Sequence, residues 1–159
     1  MSRHQTFNAS LLIALAAIFA FVADQVTKYF VTSHMMYPDS IMVIPHLLKW
    51  TYERNTHGAF GLFGNNGLLL IVMAVVVLFI FWWSFRDQAK HSRLVCVAFG
   101  LIVGGAIGNI VDRVHLGYVV DFIDFYRIWP NIFNVGDSCI TSGVILLLLS
   151  SLGRSRRNA

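Results

Sequence analysis

Four long apolar segments, separated by polar stretches, constrain this chain more than any other feature. They run from about Leu11 to Val31, Gly67 to Phe85, Leu94 to Val111 and Ser138 to Gly153. A helix that crosses the apolar part of a bilayer needs roughly 20 residues, each rising about 1.5 Å. The segments reach or approach that length, and 57% of the residues are hydrophobic while 13% are charged. We therefore predict an all-α membrane protein, in which residues 1–159 form a single domain with four transmembrane helices.

The first apolar segment could instead be a signal peptide that is removed. Its basic start is weak, and Phe21-Val22-Ala23 lacks the small-x-small pattern of a cleavage site. We expect the segment to be retained as a span.

The distribution of basic residues predicts the orientation of the chain. With both ends in the cytoplasm, seven of the twelve Lys and Arg residues fall in inner segments and four in outer loops. Inner segments of membrane proteins carry such an excess. The acidic residues then gather on the outer side, in loops 32–66 and 112–137 or at outer helix ends, and only Asp87 lies inside. We expect both termini in the cytoplasm and any site built from these acids on the outer face.

The first outer loop is too long for a simple turn. Residues Leu48 to Arg54 alternate apolar and polar side chains, which predicts a half-buried strand. We expect a small sheet on the membrane surface, with Trp50 and Tyr52 at headgroup level. Four glycines spaced three apart between Gly58 and Gly67 favour a flexible or tightly turned remainder.

Two kinds of unusual residue lie within the spans. Asp24 and Lys28 are four apart and share a helix face, so they form either a structural ion pair or part of a binding site. Gly100, Gly104 and Gly108 repeat every four residues along the third span, which favours close helix packing over a ligand site.

Polar residues at the outer side offer several candidate acids. Asn109, Asp112 and Arg113 form one cluster at the end of the third span. The candidate acids are Asp112, Asp121, Asp124 and Asp137, of which Asp121 and Asp124 lie in a stretch predicted to be extended or a short helix. Asp137 precedes the fourth span and could simply be its N-cap.

Two carboxylates that share a site are suited to acid–base chemistry. Repulsion keeps one of them protonated, so that one can accept a proton from water while the other donates to a peptide carbonyl. The spacing alone leaves open which two of the four acids would pair. No Cys/His spacing typical of a zinc site occurs, and the basic residues form no continuous face for nucleic acid.

Nearly the whole chain resembles the bacterial lipoprotein signal peptidases (signal peptidase II). The resemblance rests on five motifs in this order: Asp24-Gln25-Val26-Thr27-Lys28, Asn55 to Phe60, Gly105 to Arg113, Val119-Val120-Asp121-Phe122, and Phe133-Asn134-Val135-Gly136-Asp137. Each motif alone is weak, but their order among four spans is highly specific.

The resemblance implies a function and a set of site residues. The family removes signal peptides from prolipoproteins, cleaving before a cysteine that carries diacylglycerol, and it uses two aspartates that match Asp121 and Asp137. Residues that bind substrate or shape the site match Asp24, Lys28, Asn55, Asn109, Asp112, Arg113 and Asn134. The implied fold is four transmembrane helices with a small periplasmic β-sheet and a short amphipathic segment.

Two positions depart from the family pattern. His57 stands where the family usually has glycine, and we expect an exposed loop histidine. Gly136 stands where alanine is usual, a milder change.

The resulting hypothesis is a monomeric aspartic endopeptidase of the bacterial inner membrane. It would need no metal or other cofactor, and its partners would be prolipoprotein substrates and membrane lipid, with no nucleic acid. Two alternatives come from other classes: a small proton-coupled transporter that uses Asp24 and Lys28 as its relay, and a metal-dependent phospholipid enzyme that uses the loop aspartates.

Overall fold

A computed structural model of the chain describes residues 8–57 and 66–155. The elements, in chain order, are α1 (Ala9–His34), β1 (Ser40–Ile44), β2 (Leu48–Asn55), α2 (Gly67–Ala89), α3 (Arg93–Leu116), β3 (Val119–Asp124) and α4 (Val135–Ser155). All four helices are long and apolar enough to cross a membrane, which confirms the four predicted spans.

The helices extend beyond the apolar segments because polar residues cap their ends. The side chains of Asn8, Asn66 and Ser92 each accept a hydrogen bond from a backbone N–H in the first turn of α1, α2 and α3. These bonds satisfy amide groups that have no partner inside the helix. Gly117 follows α3 in the left-handed conformation (φ 80°), which ends that helix at Leu116.

The third helix is the centre of the bundle, and it contacts α1 through small residues. Gly100 and Gly104 lie directly against the backbone of α1 near Ala16 and Ala17, and Gly108 lies against the side chain of Asp24. This close approach confirms the packing role predicted for the glycine repeat.

The opposite side of α3 packs on α4 in the same manner. Gly105 lies against the backbone of Gly136, and Gly143 of α4 lies against Ala98 and Ile102. The second helix is peripheral, with Trp82 packed on Phe99 of α3. Large apolar side chains on the outer surface of the bundle are exposed, as expected where lipid is the solvent.

Three antiparallel strands form the predicted small sheet, in the order β1–β2–β3. The alternation at Leu48–Arg54 is confirmed as β2, and the stretch around Asp121 is the strand β3, not a short helix. One face of the sheet packs on the C-terminal end of α1, where Tyr52 and Phe122 contact Val31 and Met35. Residues 58–65, which contain three of the four glycines of the first outer loop, lie outside the described residues.

Gly104→Ala should destabilise the bundle, because a methyl group there would collide with the carbonyl oxygen of Ala17 and lie 2.8 Å from Cβ of Ala20. Such overpacking costs about 1–3 kcal/mol. The thermal unfolding midpoint of the detergent-solubilised protein measures the effect. Gly67→Ala is the matched control, since a methyl group at Gly67 meets no atom within 4 Å. Equal midpoints for the two variants would contradict close packing at Gly104.

Candidate active site

A buried ion cluster lies at the base of the site. The ammonium nitrogen of Lys28 is 2.7 Å from a carboxylate oxygen of Asp24 and 3.0 Å from one of Asp112. It also donates to the amide oxygen of Asn109 at 2.9 Å. All four side chains are buried, so each charge depends on these contacts to offset the loss of solvation.

Asp24 and Asp112 each also accept a hydrogen bond from a backbone N–H group that lies next to another aspartate in the chain. Asp24 accepts from Gly136 at 2.7 Å, immediately before Asp137. Asp112 accepts from Val120 at 3.1 Å, immediately before Asp121. The ion cluster therefore holds the start of α4 and the strand β3 in fixed positions relative to α1 and α3.

Gln25 was not singled out from the sequence, although it belongs to this cluster. Its amide nitrogen lies 3.3 Å from Asp24, 3.3 Å from the carbonyl oxygen of Gly108 and 3.0 Å from Asp112. The signal available was an amide side chain next to Asp24 within an apolar segment. Such a group needs hydrogen-bond partners when it is removed from water.

Asn134 connects the two acids that sequence motifs pointed to. Its side-chain nitrogen donates to Asp121 at 2.6 Å, and its backbone N–H donates to Asp137 at 3.4 Å. Its side-chain oxygen accepts from the backbone N–H of Asp137 at 2.8 Å, so the two residues form a reciprocal capping pair. Asn134, not Asp137, is therefore the N-cap of α4, since its side chain reaches the free amide and α4 begins three residues earlier than predicted.

Two further amides complete the surroundings of the pair. Asn55 donates to the second oxygen of Asp121 at 2.8 Å, and Asn109 donates to Asp137 at 2.7 Å. Asn109 is itself held by Lys28 and by Asn134, which donates to its amide oxygen at 3.1 Å. Neutral donors orient both carboxylates without cancelling their charge.

The surroundings of Asp121 favour its protonated form. Burial, followed by the negative charge of Asp137, raises the pKa of Asp121 to about 7. Hydrogen bonds from Asn55 and Asn134 act in the opposite direction, because they stabilise the carboxylate. Near neutral pH this strand therefore presents a carboxyl group that both holds and releases a proton.

Asp121 and Asp137 lie in the wall of a cavity of about 1030 Å³ between the sheet and α4. At the end that holds Asp121 and Asp137, the cavity wall also includes Asn55, Asn109 and Arg113. One side of the cavity is apolar and is formed by Phe125, Ile128 and Trp129. A third group of lining residues, Ser138, Thr141 and Ser142, extends the cavity along α4. The cavity thus runs from the sheet into the membrane-spanning region.

Arg113 offers an unused donor in this cavity. One terminal nitrogen of its guanidinium donates to the carbonyl oxygen of Asn109 at 3.3 Å. Its Nε is buried and has no hydrogen-bond partner among the described residues. A buried donor of this kind is available to an acceptor on a bound ligand.

The remaining candidate acids have other roles in the structure. Asp112 shares the ammonium group of Lys28 with Asp24, and Asp124 accepts from the hydroxyl of Thr51 at 2.8 Å outside the cavity wall. Asp24 and Lys28 do not line the cavity either, which favours the structural ion pair over direct contact with substrate. Of the four acids that spacing left open, the structure brings Asp121 and Asp137 together.

The two positions that depart from the family pattern fit this geometry. His57 is exposed, as expected, and its backbone N–H donates to the side-chain oxygen of Asn55 at 3.1 Å. That bond needs no particular side chain at position 57. At Gly136 a Cβ atom would lie 3.0 Å from both Asp24 and the carbonyl oxygen of Gly105, so alanine would require a small shift of the neighbours.

Comparisons with known proteins agree with this geometry. A sequence profile of the signal peptidase (SPase) II family matches residues 16–153. Lipoprotein signal peptidases of Staphylococcus aureus strains bovine RF122 / ET3-1 and MRSA252 are each 39% identical over 155 residues, covering 96% of this chain and 93% of each relative.

Solved structures show the same fold. A bacterial membrane enzyme determined by the in meso method at 2.3 Å resolution superposes with a TM-score of 0.87 at 34% identity, covering 99% of this chain and 97% of that one. A second, determined at 1.9 Å, has a TM-score of 0.79 at 36% identity, covering 95% and 98%. On the profile match, the identity and the shared fold, this chain belongs to the signal peptidase II family.

Proposed function

We propose that the protein is an aspartic endopeptidase that removes signal peptides from diacylglyceryl-modified prolipoproteins, with Asp121 and Asp137 as its catalytic pair. The observation that carries the proposal is that Asn134 donates to both carboxylates in the wall of one cavity. Membership of the signal peptidase II family supports the reaction, and the curated relatives are named lipoprotein signal peptidases.

The chemistry follows from one proton held by the pair. The ionised carboxylate removes a proton from a water molecule, and the water oxygen forms a bond to the carbonyl carbon of the scissile peptide. The protonated carboxyl group donates to the carbonyl oxygen, which gives a neutral tetrahedral intermediate. When the C–N bond breaks, the carboxyl group that took the proton from water passes it to the leaving nitrogen. The other carboxylate takes back a proton from a hydroxyl group of the intermediate, so the pair returns to its starting state. The two groups titrate as a unit, so the proton belongs to the pair.

The residues around the pair have separate tasks. Asn55, Asn109 and Asn134 hold the carboxylate oxygens in place through bonds of 2.6–2.8 Å. Arg113, with its unused Nε, binds a backbone carbonyl of the substrate. The other family-matched residues, Asp24, Lys28 and Asp112, are positioning residues that do not line the cavity. Asp24 and Asp112 hold the backbone next to each catalytic aspartate, and Lys28 holds both of these carboxylates.

The shape of the cavity suits a substrate that lies partly in lipid. Its apolar side, with Phe125, Ile128 and Trp129, can accommodate the lipid-modified cysteine at the membrane surface. Its extension past Ser138 and Thr141 along α4 can receive the hydrophobic segment of the signal peptide. The enzyme would act as a monomer in the bacterial cytoplasmic membrane, with both termini inside and the active site on the outer face.

The transporter alternative has less support. Asp24 and Lys28 are buried in a closed cluster with Asp112 and Asn109 and do not line the large cavity. A proton relay would need these groups to face a pathway across the bilayer.

Asp121→Asn and Asp137→Asn should each reduce cleavage of a diacylglyceryl prolipoprotein by at least 10³-fold, because either change removes an acid–base group from the pair. A gel-shift assay with purified variants in detergent measures this. Asp124→Asn is the matched control, since Asp124 lies on the same strand as Asp121 but outside the cavity wall. Normal processing by either Asp121→Asn or Asp137→Asn would overturn the assignment of the catalytic pair.

The raised pKa of Asp121 predicts a pH-dependent stability. An unfolded aspartate titrates near pH 3.9. Between that pH and about 7 the folded protein holds the proton more tightly than the unfolded chain. Stability should therefore be greatest below this window and fall as pH rises through it, by up to about 1.4 kcal/mol per pH unit.

Thermal unfolding of the wild type and Asp121→Asn between pH 4 and 8 isolates this effect from other titrating groups. The wild type should lose stability relative to Asp121→Asn as pH rises. A constant difference between the two proteins would show that Asp121 titrates normally in the folded state.

A chelator separates the aspartic mechanism from the metal-dependent phospholipid enzyme. Cleavage of the prolipoprotein should continue at an unchanged rate in excess EDTA, because the proposed reaction needs only the two carboxyl groups and water. Loss of cleavage that is restored by added Mg²⁺ would favour the metal-dependent alternative.

A further inference from the structure

The guanidinium group of Arg54 lies among three tyrosine rings on the outer side of the protein. Its central carbon is 4.7 Å from the ring centre of Tyr37, 5.1 Å from that of Tyr118 and 5.7 Å from that of Tyr52. We refer to Tyr37, Tyr52 and Tyr118 as the tyrosine cage. The cage holds the planar cation in one orientation before any ligand arrives.

The cage lies on the face of the sheet that is turned away from the catalytic pair. Arg54 pairs with Val120 of β3, and Val120 packs with Tyr52 in one apolar cluster, so Arg54 and Tyr52 lie on the same face. Tyr52 packs against Val31 and Met35 at the end of α1, whereas Asn55 bonds to Asp121. Arg54 contributes to the cavity wall, but its guanidinium lies over the rings of the opposite face.

The depth of the cage matches the headgroup layer of a membrane. The first helix ends at His34, three residues before Tyr37, and the third helix ends at Leu116, two residues before Tyr118. Both are membrane-spanning helices, so the cage lies where two spans leave the bilayer. Tyrosine and arginine are suited to this layer, where apolar rings meet lipid phosphates.

The charge of Arg54 is not used within the described part of the chain. Arg54 is exposed, and none of the ion pairs among residues 8–57 and 66–155 involves it. A preoriented guanidinium presents paired N–H donors that match two oxygens of a phosphate. The anion present at this depth is a lipid phosphate.

An apolar groove on the same face indicates a lipid in preference to a free ion. The groove has a volume of about 220 Å³, and its walls include Phe30, Met35, Ile41, Trp50 and Phe122. Tyr52 of the cage packs against Val31 and Met35, and both of these residues also line the groove, so the cage and the groove adjoin. One phospholipid can occupy both, with its phosphate at the cage and part of an acyl chain in the groove.

We propose that Arg54 and the tyrosine cage bind the phosphate of an anionic phospholipid of the outer leaflet, with one acyl chain in the groove beside Trp50. The bound lipid links the sheet to the ends of α1 and α3 and so stabilises the sheet against the membrane. This site is separate from the proposed catalytic pair, so its test does not depend on peptidase activity.

The test is the thermal unfolding midpoint of the purified protein in neutral detergent, titrated with dioctanoyl phosphatidylglycerol. The midpoint of the wild type should rise and saturate. Arg54→Gln should raise the half-saturating lipid concentration by roughly tenfold, the loss expected for a charge-assisted hydrogen bond to phosphate. Arg127→Gln is the matched control, because Arg127 is another exposed arginine of the outer side that lies over a single tyrosine ring.

Two other ligands distinguish the lipid from its parts. Dioctanoylglycerol, which lacks the phosphate, and inorganic phosphate, which lacks the chains, should each leave the midpoint nearly unchanged. If dioctanoylglycerol raised the midpoint as much as dioctanoyl phosphatidylglycerol does, the site would bind apolar chains only. If inorganic phosphate did so, the site would bind a free anion and not a lipid. Either result overturns the proposal, as do equal losses in Arg54→Gln and Arg127→Gln.

Tyr37→Leu tests the cage if Arg54→Gln does not fold. Tyr37 is 46% exposed, so the bundle does not depend on its ring. Removing the ring should weaken lipid binding less than Arg54→Gln while retaining specificity for the phosphate. Wild-type lipid binding by Tyr37→Leu would overturn the role of the cage.

Discussion

The ammonium group of Lys28 is buried within 3.0 Å of two carboxylates, and the placement of the sheet and of the two cavity aspartates depends on this contact. Burying a charge without partners would cost several kcal/mol, so α1 and α3 must meet where Asp24 and Asp112 face Lys28. The same two carboxylates accept the backbone N–H groups of Gly136 and Val120. Each of those residues directly precedes an aspartate of the cavity. A single ion cluster therefore aligns four elements of the fold.

Glycines make this cluster geometrically accessible. Gly108 of α3 lies directly against the carboxylate of Asp24, and Gly104 lies against the backbone of α1. Larger side chains at these positions would separate the helices and break the bonds to Lys28. The packing of the bundle and the placement of the charged groups therefore depend on the same feature, the small residues on the face of α3 that meets α1.

Neutral amides, and not cations, make the direct hydrogen bonds to the two cavity carboxylates. Asn55 and Asn134 bond to Asp121, while Asn109 bonds to Asp137. An arginine or lysine in direct contact would hold both groups ionised, whereas amides leave burial and mutual repulsion free to raise the pKa of Asp121 to about 7. Lys28 donates to Asn109 and to neither cavity carboxylate, while its positive charge acts through space and lowers the pKa of Asp121. This arrangement fits the proposed reaction, in which the pair must hold one proton near neutral pH.

The sequence by itself determined that lipid is the solvent, the number of spans, a strand over Leu48–Arg54 and the gathering of acids on one side, because hydropathy and alternation are local properties of the chain. Motif resemblance added the family and pointed to Asp121 and Asp137. Only the tertiary structure decided that Asn134 caps α4, that Asp112 pairs with Lys28, and that Gln25 bridges α1 and α3. The contacts of Lys28 and Gln25 with Asp112 join residues up to 87 positions apart. Their geometry depends on how closely the helices approach, which no local pattern specifies.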